Sequence, residues 1–478
     1  MIRETVTVTG RSHMTVDLDA SMIDDLRARL DGPVMLPGDD GWDGAVTIWN
    51  AMAASTPAVV VQPQTALDVS EVVRFARDND LLLSVKGGGH NIAGTALAPG
   101  CITLDMSRMR DVTVRPDERR VDAGAGCLLQ HVDHATQQHG LATVLGIMSE
   151  VGIAGLTLGG GFGYLARRFG WAVDNLDEVE IVTADGEVRV ASREREPELF
   201  WAVRGGGGNL GVVTRFTYRL HDVGPTVTGG LIAWSAERAG DVLAAYRDVV
   251  ERAPRELTAA IVMRLAPPAP FVPEAWRLAP VIAMVVCHSG PNPAADLAPI
   301  RAIGDPVVDL VGEHPYVEQQ SLLDEMDPKG FCQYWKTEYL DHLSAEYCDT
   351  FARCASRLTS PMSYSVIFHI GGALNERASD DGAVGNRDAR FVTGFSAVWP
   401  PDQPATAHVR WARESWHAIR PFSTGGNYVN FHLAEDGDER TAAAYGANLA
   451  RLRQVKAAYD PDNLFRVNRN VTPAARGA

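Results

Sequence analysis

The sequence predicts an α+β fold: a region of short strands, helices and glycine turns, followed by a longer-stranded antiparallel sheet backed by helices. Three observations predict it. The chain has 478 residues, more than one typical core encloses, so two domains are expected. From residue 59 to about 221, brief β-branched runs alternate with stretches of helical periodicity. From Thr226 onward the strand-like runs lengthen, and amphipathic stretches separate them.

The elements follow in order. Residues 21–30 place Met22, Ile23, Leu26 and Leu30 on one face of a short helix. Val59-Val60-Val61 reads as a strand, residues 67–79 as a helix, and Leu81-Leu82-Leu83 as a short buried strand. Ile102-Thr103-Leu104, Glu180-Ile181-Val182-Thr183 and residues 212–216 are further strands, with a helix over residues 128–139. Beyond Thr226, residues 231–234, 259–265, 281–287, 364–371 and 391–398 read as strands, and residues 236–252 and 405–419 as helices. Ser12-His13-Met14 looks like a cloning junction with the natural start at Met14, so the residues before it are left out of the fold expectation.

Composition narrows the function classes. Hydrophobic residues make up 46%, ordinary for a globular protein. With 44 Lys and Arg against 60 Asp and Glu, the formal charge of −16 argues against nucleic acid or an anionic membrane as partner. No run of about 18 apolar residues suggests a membrane span. The cysteines form no C-x-x-C pair, which argues against zinc and redox motifs. Arg3, Glu4 and Arg11 occur without an apolar h-region, so a cytoplasmic location is expected.

Glycine runs carry the chemical signal. In Val85-Lys86-Gly87-Gly88-Gly89-His90-Asn91, consecutive glycines let backbone N–H groups converge on an anion; a glycine turn bearing a surface histidine is the alternative. The run is neither G-x-G-x-x-G nor a P-loop, and an imidazole stands where the former has none. Residues 151–163 read Val-Gly-Ile-Ala-Gly-Leu-Thr-Leu-Gly-Gly-Gly-Phe-Gly, glycine-dense in an apolar context, which suits close backbone approach to a planar ring. A third run, Arg204-Gly205-Gly206-Gly207-Gly208-Asn209-Leu210-Gly211-Val212-Val213, precedes a strand. The C-terminal part adds Tyr428-Val429-Asn430-Phe431 and Asp460-Pro461-Asp462-Asn463-Leu464-Phe465-Arg466-Val467-Asn468-Arg469-Asn470.

In this order the motifs resemble the berberine bridge enzyme-like FAD-linked oxidases of the vanillyl-alcohol oxidase superfamily, from about residue 45 to about 473. The resemblance implies a PCMH-type FAD-binding domain of two subdomains over residues 45–221 and a substrate domain over 222–420. A segment over 421–478 would return to the FAD domain. It also implies FAD covalently bound through His90. Many relatives add a second tether from a cysteine, but Met148 occupies that position in Met148-Ser149-Glu150-Val151-Gly152, and a thioether cannot react as a thiolate does. Cys127 lies outside the motif and reads as a small buried hydrophobe.

Cofactor contacts are expected from Lys86, Gly87, Gly88, Gly89, His90 and Asn91, with Lys86 offering its charge to the pyrophosphate. Gly146, Val151, Gly152, Gly155, Thr157, Gly160 and Gly161 would follow, then Asn209, Gly211, Val212 and Val213, and finally Tyr428, Asn430, Asn468 and Asn470. For Thr157 packing is the equal alternative, and for Asn470 a turn cap. Asp105-Met106-Ser107 and Ala123-Gly124-Ala125 line the dinucleotide or are plain turns.

The implied reaction removes hydride from a CH–OH carbon of a sugar, polyketide or phenolic alcohol to flavin N5, with O₂ as the terminal acceptor and no metal. Alternatives are oxidation of a C–N bond in an alkaloid or hydroxynicotine-like amine, a dehydrogenase using another acceptor, and a non-redox protein that keeps FAD as scaffold. Tyr428 is the candidate base. A tyrosine with pKa near ~10 is ionised in about one molecule in a thousand at pH 7, a deficit of roughly 4 kcal/mol, so a cation or strong donor is needed. Lys336 is the candidate cation, with a surface strand lysine as the alternative reading, and Tyr364 is a further catalytic candidate. Tyr334, Tyr339 and His369 also lie in the expected substrate sheet. Val151 resembles the oxidase pattern, in which a small side chain admits O₂; a core residue of a glycine-rich strand is the alternative.

Overall fold

The computed structural model describes residues 5–475; Arg3, Glu4 and the last three residues of the expected C-terminal segment lie outside it. Three sheets organise the chain. The smallest has the order Val34–Met35, Val59–Val61, Ile102–Asp105, Leu83–Lys86, and its last three strands are parallel. β-Branched, fully buried Val59–Val61 suits a strand covered on both faces. The second sheet is antiparallel, in the order Val188–Ser192, Leu176–Val182, Val212–Arg219, Arg120–Gly124, Val112–Arg115. Helix Ala66–Asp78 lies between the two, capped by the Thr65 hydroxyl, with Val69, Val72 and Val73 buried at helical spacing.

The large sheet is antiparallel. Thr226–Ser235, Pro280–His288, Leu257–Leu265, Tyr364–His369, Phe391–Trp399 and Cys332–Leu340 run side by side, and Val308–Asp309 and Gly312–Pro315 pair with the first. Helices Ala239–Arg252, Ala345–Ala355 and Thr406–Ile419 cover one face. Strand alternation divides the core accordingly. Ile261, Met263, Ile367 and Phe395 pack under these helices, while Val262, Tyr364 and Val366 face the rest of the chain.

Three expectations are corrected. The segment before Met14 is part of the fold: Thr5–Thr9 pairs with Thr15–Asp19, and Leu82 N donates to Thr9 O at 2.9 Å. The strand expected at residues 81–83 is Leu83–Lys86, because pairing with Ile102–Asp105 sets its register and Leu81 instead bridges Gly10. The glycine-dense segment after Val151, a strand only in the alternative reading of that residue, is not one. It folds as helix Ile153–Leu158, in which Ile153, Thr157 and Leu158 turn inward at helical spacing. Among the described residues no helix is long and apolar enough to cross a membrane, and no group of His, Cys, Asp and Glu is placed to hold a metal.

Candidate active site

A cavity of about 300 Å³ opens where the two smaller sheets, the uncovered face of the large sheet and the C-terminal segment meet. Backbone dominates one side. The Gly87–Gly88–Gly89 loop leaves the parallel strand Leu83–Lys86 and meets the entry to helix Ile153–Leu158. Gly88 and Gly152 touch backbone to backbone, so a methyl group on either would overlap the other's nitrogen. Gly89 has φ +68°, which a side chain would strain. Gly146, Val151 and Gly155 continue this wall, and Gly207, Gly208, Asn209, Gly211, Val212 and Val213 face it.

The C-terminal segment closes that side through Asn209. Its side chain donates to Gly206 O (2.8 Å) and Arg469 O (3.0 Å) and accepts from Val471 N (2.8 Å). The fully buried Lys456 ammonium donates to Asn209 O (2.9 Å), Phe465 O (2.8 Å) and Asp460 (2.8 Å). Tyr445, Asn468 and Arg469 line the cavity with a hydroxyl, an amide oxygen and a guanidinium Nε that are buried without a hydrogen-bond partner. Bare glycine backbone beside unspent polar atoms fits a dinucleotide such as FAD. His90 lies at this wall, its ring stacked on Trp49 (4.2 Å between centroids, 17°). Burial pushes its pKa down to about 4, and the charge of Lys329 adds to this, so the imidazole is neutral at pH 7.

Aromatic rings form the opposite side. Trp335 meets Trp49, Tyr364 and Phe431 edge-on at 5.6, 6.1 and 5.2 Å. Phe431 and Phe162 pack on Tyr428 at 4.9 and 5.0 Å, and Phe368 on Phe162 at 5.7 Å. The large sheet's register builds this wall, since Trp335, Ser396, Tyr364 and Arg264 lie in one row across four strands. Asp327 enters from the loop before Cys332–Leu340 and accepts the Tyr364 hydroxyl hydrogen bond. Burial raises the Asp327 carboxyl to about 6, while Tyr364, Arg264 and Gln333 oppose the shift.

The expected residues divide. Gly87, Gly88, Gly89, His90, Asn91, Gly146, Val151, Gly152, Gly155, Asn209, Gly211, Val212, Val213, Tyr364, Tyr428, Asn430 and Asn468 meet at the cavity, with Met106, Ala125 and Met148. Six depart from expectation. Lys86 alternates away from Val85, and its ammonium is taken up by Ala45 O (2.6 Å) and Asp105 (3.5 Å), so it offers no charge to a pyrophosphate. Thr157 bonds Tyr218 OH (2.7 Å) in the core, the packing alternative. Gly160 packs against Trp171, and Gly161 lies behind Tyr428, donating its N–H to the phenol oxygen (3.1 Å). Asn470 is not in the wall. Lys336 is on the helix-covered face of its strand, between Asp436 (2.7 Å) and Glu435 (2.9 Å), and does not reach Tyr428. Tyr334 and His369 share that face, and Tyr339 is buried beyond the cavity.

Tyr428 therefore meets donors rather than a cation: Gly161 N–H and Asn430 Nδ2 (2.9 Å). Burial still carries its pKa up to about 12. Reading residues alone missed Trp49, Trp335, Asp327, Tyr445 and Arg469. Period-two alternation from Trp335 could have marked that residue with Thr337, but nothing in Met326-Asp327-Pro328 signals a site.

Comparison with known proteins follows the same geography. The FAD binding domain family matches residues 57–192, and the berberine and berberine-like family matches residues 427–472. The (R)-6-hydroxynicotine oxidase of Paenarthrobacter nicotinovorans is 31% identical over 459 residues, 93% of this chain and 97% of the relative. The crystal structure of 6-hydroxy-D-nicotine oxidase from Arthrobacter nicotinovorans superimposes with a TM-score of 0.83 at 28% identity, over 93% of this chain and 98% of that one. Xylooligosaccharide oxidase from Myceliophthora thermophila shares the fold, with a TM-score of 0.84 at 23% identity over 95% and 99% of the two chains.

Proposed function

Because the chain belongs to the berberine bridge enzyme-like FAD-linked oxidoreductases, we propose that it oxidises a compact, ring-bearing alcohol, with O₂ as the final electron acceptor. One observation carries this reading. The cavity has a glycine-backbone side that fits the cofactor and an aromatic side that carries a buried carboxyl–phenol pair. A wall of Trp49, Trp335, Phe162, Phe368 and Phe431 suits a phenolic or polyketide ring better than the many hydroxyls of a sugar chain.

When bound, FAD supplies the two-electron oxidant. The chain's own residues do the rest. The glycine loops at 87–89 and 207–208 offer backbone N–H groups to the phosphates, and neutral His90 offers a ring nitrogen for a single covalent link. The aromatic wall excludes water and orients the substrate ring. Tyr428 has both acceptor sites filled by N–H groups and keeps its proton at neutral pH, so it has a hydrogen bond to donate into the cavity. That favours a substrate-orienting role over a base.

A second reading is oxidation of a ring-bearing amine, favoured by likeness to a hydroxynicotine oxidase over nearly the whole length of both chains. An amine delivered neutral needs no base. The test is a screen of phenolic and polyketide alcohols, cyclic amines and oligosaccharides, following bleaching of the oxidised-flavin spectrum under argon and peroxide formation in air. Bleaching by ring alcohols alone is expected. Bleaching by amines alone selects the second reading, by oligosaccharides alone overturns both, and a spectrum no compound bleaches overturns redox function.

A further inference from the structure

The hydroxyl of Tyr364 is the one phenol at the cavity whose own proton is already directed at a carboxylate. It donates to Asp327 Oδ2 and takes a hydrogen bond from the Ser396 hydroxyl, which leaves one oxygen lone pair for a substrate hydroxyl. A chain of contacts holds the carboxylate. Asn50 Oδ1 accepts from Gln333 N (2.9 Å), Trp335 Nε1 donates to Gln333 Oε1 (3.1 Å), and Gln333 Nε2 reaches Asp327 Oδ1 (3.5 Å). Trp49 Nε1 pins the Asp327 carbonyl (2.8 Å). Tyr428 on the same cavity has the opposite arrangement, its oxygen filled by two donors.

We infer that Tyr364 is the catalytic proton acceptor and that Asp327 is its proton partner, the two acting as a relay. This rests on the alcohol reading above. As the C–H bond breaks, the substrate hydroxyl passes its proton to Tyr364 Oη, and the Tyr364 proton passes to Asp327 Oδ2. FAD, when bound, would supply the oxidant that takes the carbon-bound hydrogen with its two electrons, and the substrate would become a carbonyl compound. Tyr364 is never left ionised, so burial of its phenol is no obstacle, and only the carboxylate must start deprotonated.

The charged and titratable groups around Asp327 set the pH at which that holds. Burial raises its carboxyl to about 6, against the hydrogen bonds from Tyr364 and Gln333 and the nearby Arg264 guanidinium. Lys329 acts on His90, which stacks on the same Trp49. The relay therefore works above about pH 6 and fails below it as the carboxylate takes up a proton.

Two measurements on the flavin-loaded protein test the relay. Infrared difference spectra between pH 5 and 8 should show a protonated carboxyl band that grows in as pH falls through about 6 and is missing in Asp327→Asn. A carboxyl that stays ionised throughout overturns the relay whether or not any substrate is known. Anaerobic flavin reduction by 4-hydroxybenzyl alcohol should rise with pH through the same point. Asp327→Asn and Tyr364→Phe should slow it by about 10²–10⁴-fold and abolish the inflection, while Tyr428→Phe is slower yet keeps it. Loss of the inflection in Tyr428→Phe alone transfers the role to Tyr428 and overturns the inference. If wild type is reduced by cyclic amines and by no alcohol, the alcohol reading fails and the relay fails with it, whereas reduction by alcohols without the infrared band overturns the relay alone.

Discussion

At the cofactor wall, the proposed roles of His90 and Val151 rest on side chain rather than backbone. The imidazole is held flat on Trp49 and kept neutral by burial, so its lone pair is available at pH 7. Met148, at the same cavity, cannot supply a second bond. Acid-precipitated protein is therefore expected to stay yellow, and His90→Ala to release its flavin into the supernatant. A mass spectrum with flavin on Cys127, whose thiol burial raises to about 12, would contradict this. Val151 is half-buried in the wall beside Gly152. Adding a methylene there narrows the path to the ring in a close-packed interior. Val151→Leu should slow reoxidation in aerated buffer at least severalfold and leave anaerobic reduction unchanged, as stopped-flow absorbance would show. Reoxidation of wild type no faster than that of free reduced flavin would make the enzyme a dehydrogenase.

Elements meet at the cavity through backbone, and that contact is the vulnerable joint. The Gly87–Gly89 loop and the start of helix Ile153–Leu158 pack without side chains between Gly88 and Gly152. Gly88→Ala forces the loop and the helix entry apart. An overpacking cost of about 1–3 kcal/mol is expected, together with weaker flavin retention. Thermal unfolding followed by flavin fluorescence reads both at once; an unchanged midpoint with full flavin content would show that the joint has slack. These features were partly legible in advance. Repeated glycines announce that backbone approaches something closely, but not whether the neighbour is a cofactor or a second glycine.

Across the whole molecule, the C-terminal segment is tied to the large sheet by ion pairs rather than by apolar packing alone. Lys336 joins Glu435 and Asp436, and Arg413 and Arg440 extend the set. Burial raises the Glu435 carboxyl, but hydrogen bonds from Tyr334, Lys336 and Arg413 outweigh it and bring the pKa to about 2, from 4.5. A folded-state pKa below the unfolded value stabilises the fold above about pH 4.5, and that stability is lost as pH falls toward 2. Melting temperature should therefore drop over this window in wild type and drop less steeply in Lys336→Met, which starts from a lower midpoint. Equal slopes would show that the tether does not respond to acid.

Local pattern was enough for the α+β class, for most strands and helices, and for the motifs that bring glycine backbone and His90 to one place. Hydrophobic period and glycine spacing act over a few residues, and they survive any tertiary arrangement. Which face a strand residue presents is a different matter. Tyr334, Trp335, Lys336 and Tyr364 all belong to the large sheet, yet only pairing with Phe391–Trp399 and the helices on one side decides that Trp335 and Tyr364 see the cavity while Tyr334 and Lys336 do not. The partners of Tyr428 and the Asp327–Tyr364 pair were likewise decided by contacts between residues far apart in the chain. Periodicity carries no information about which distant element will close over a given face; that is settled when the sheets, helices and C-terminal segment pack.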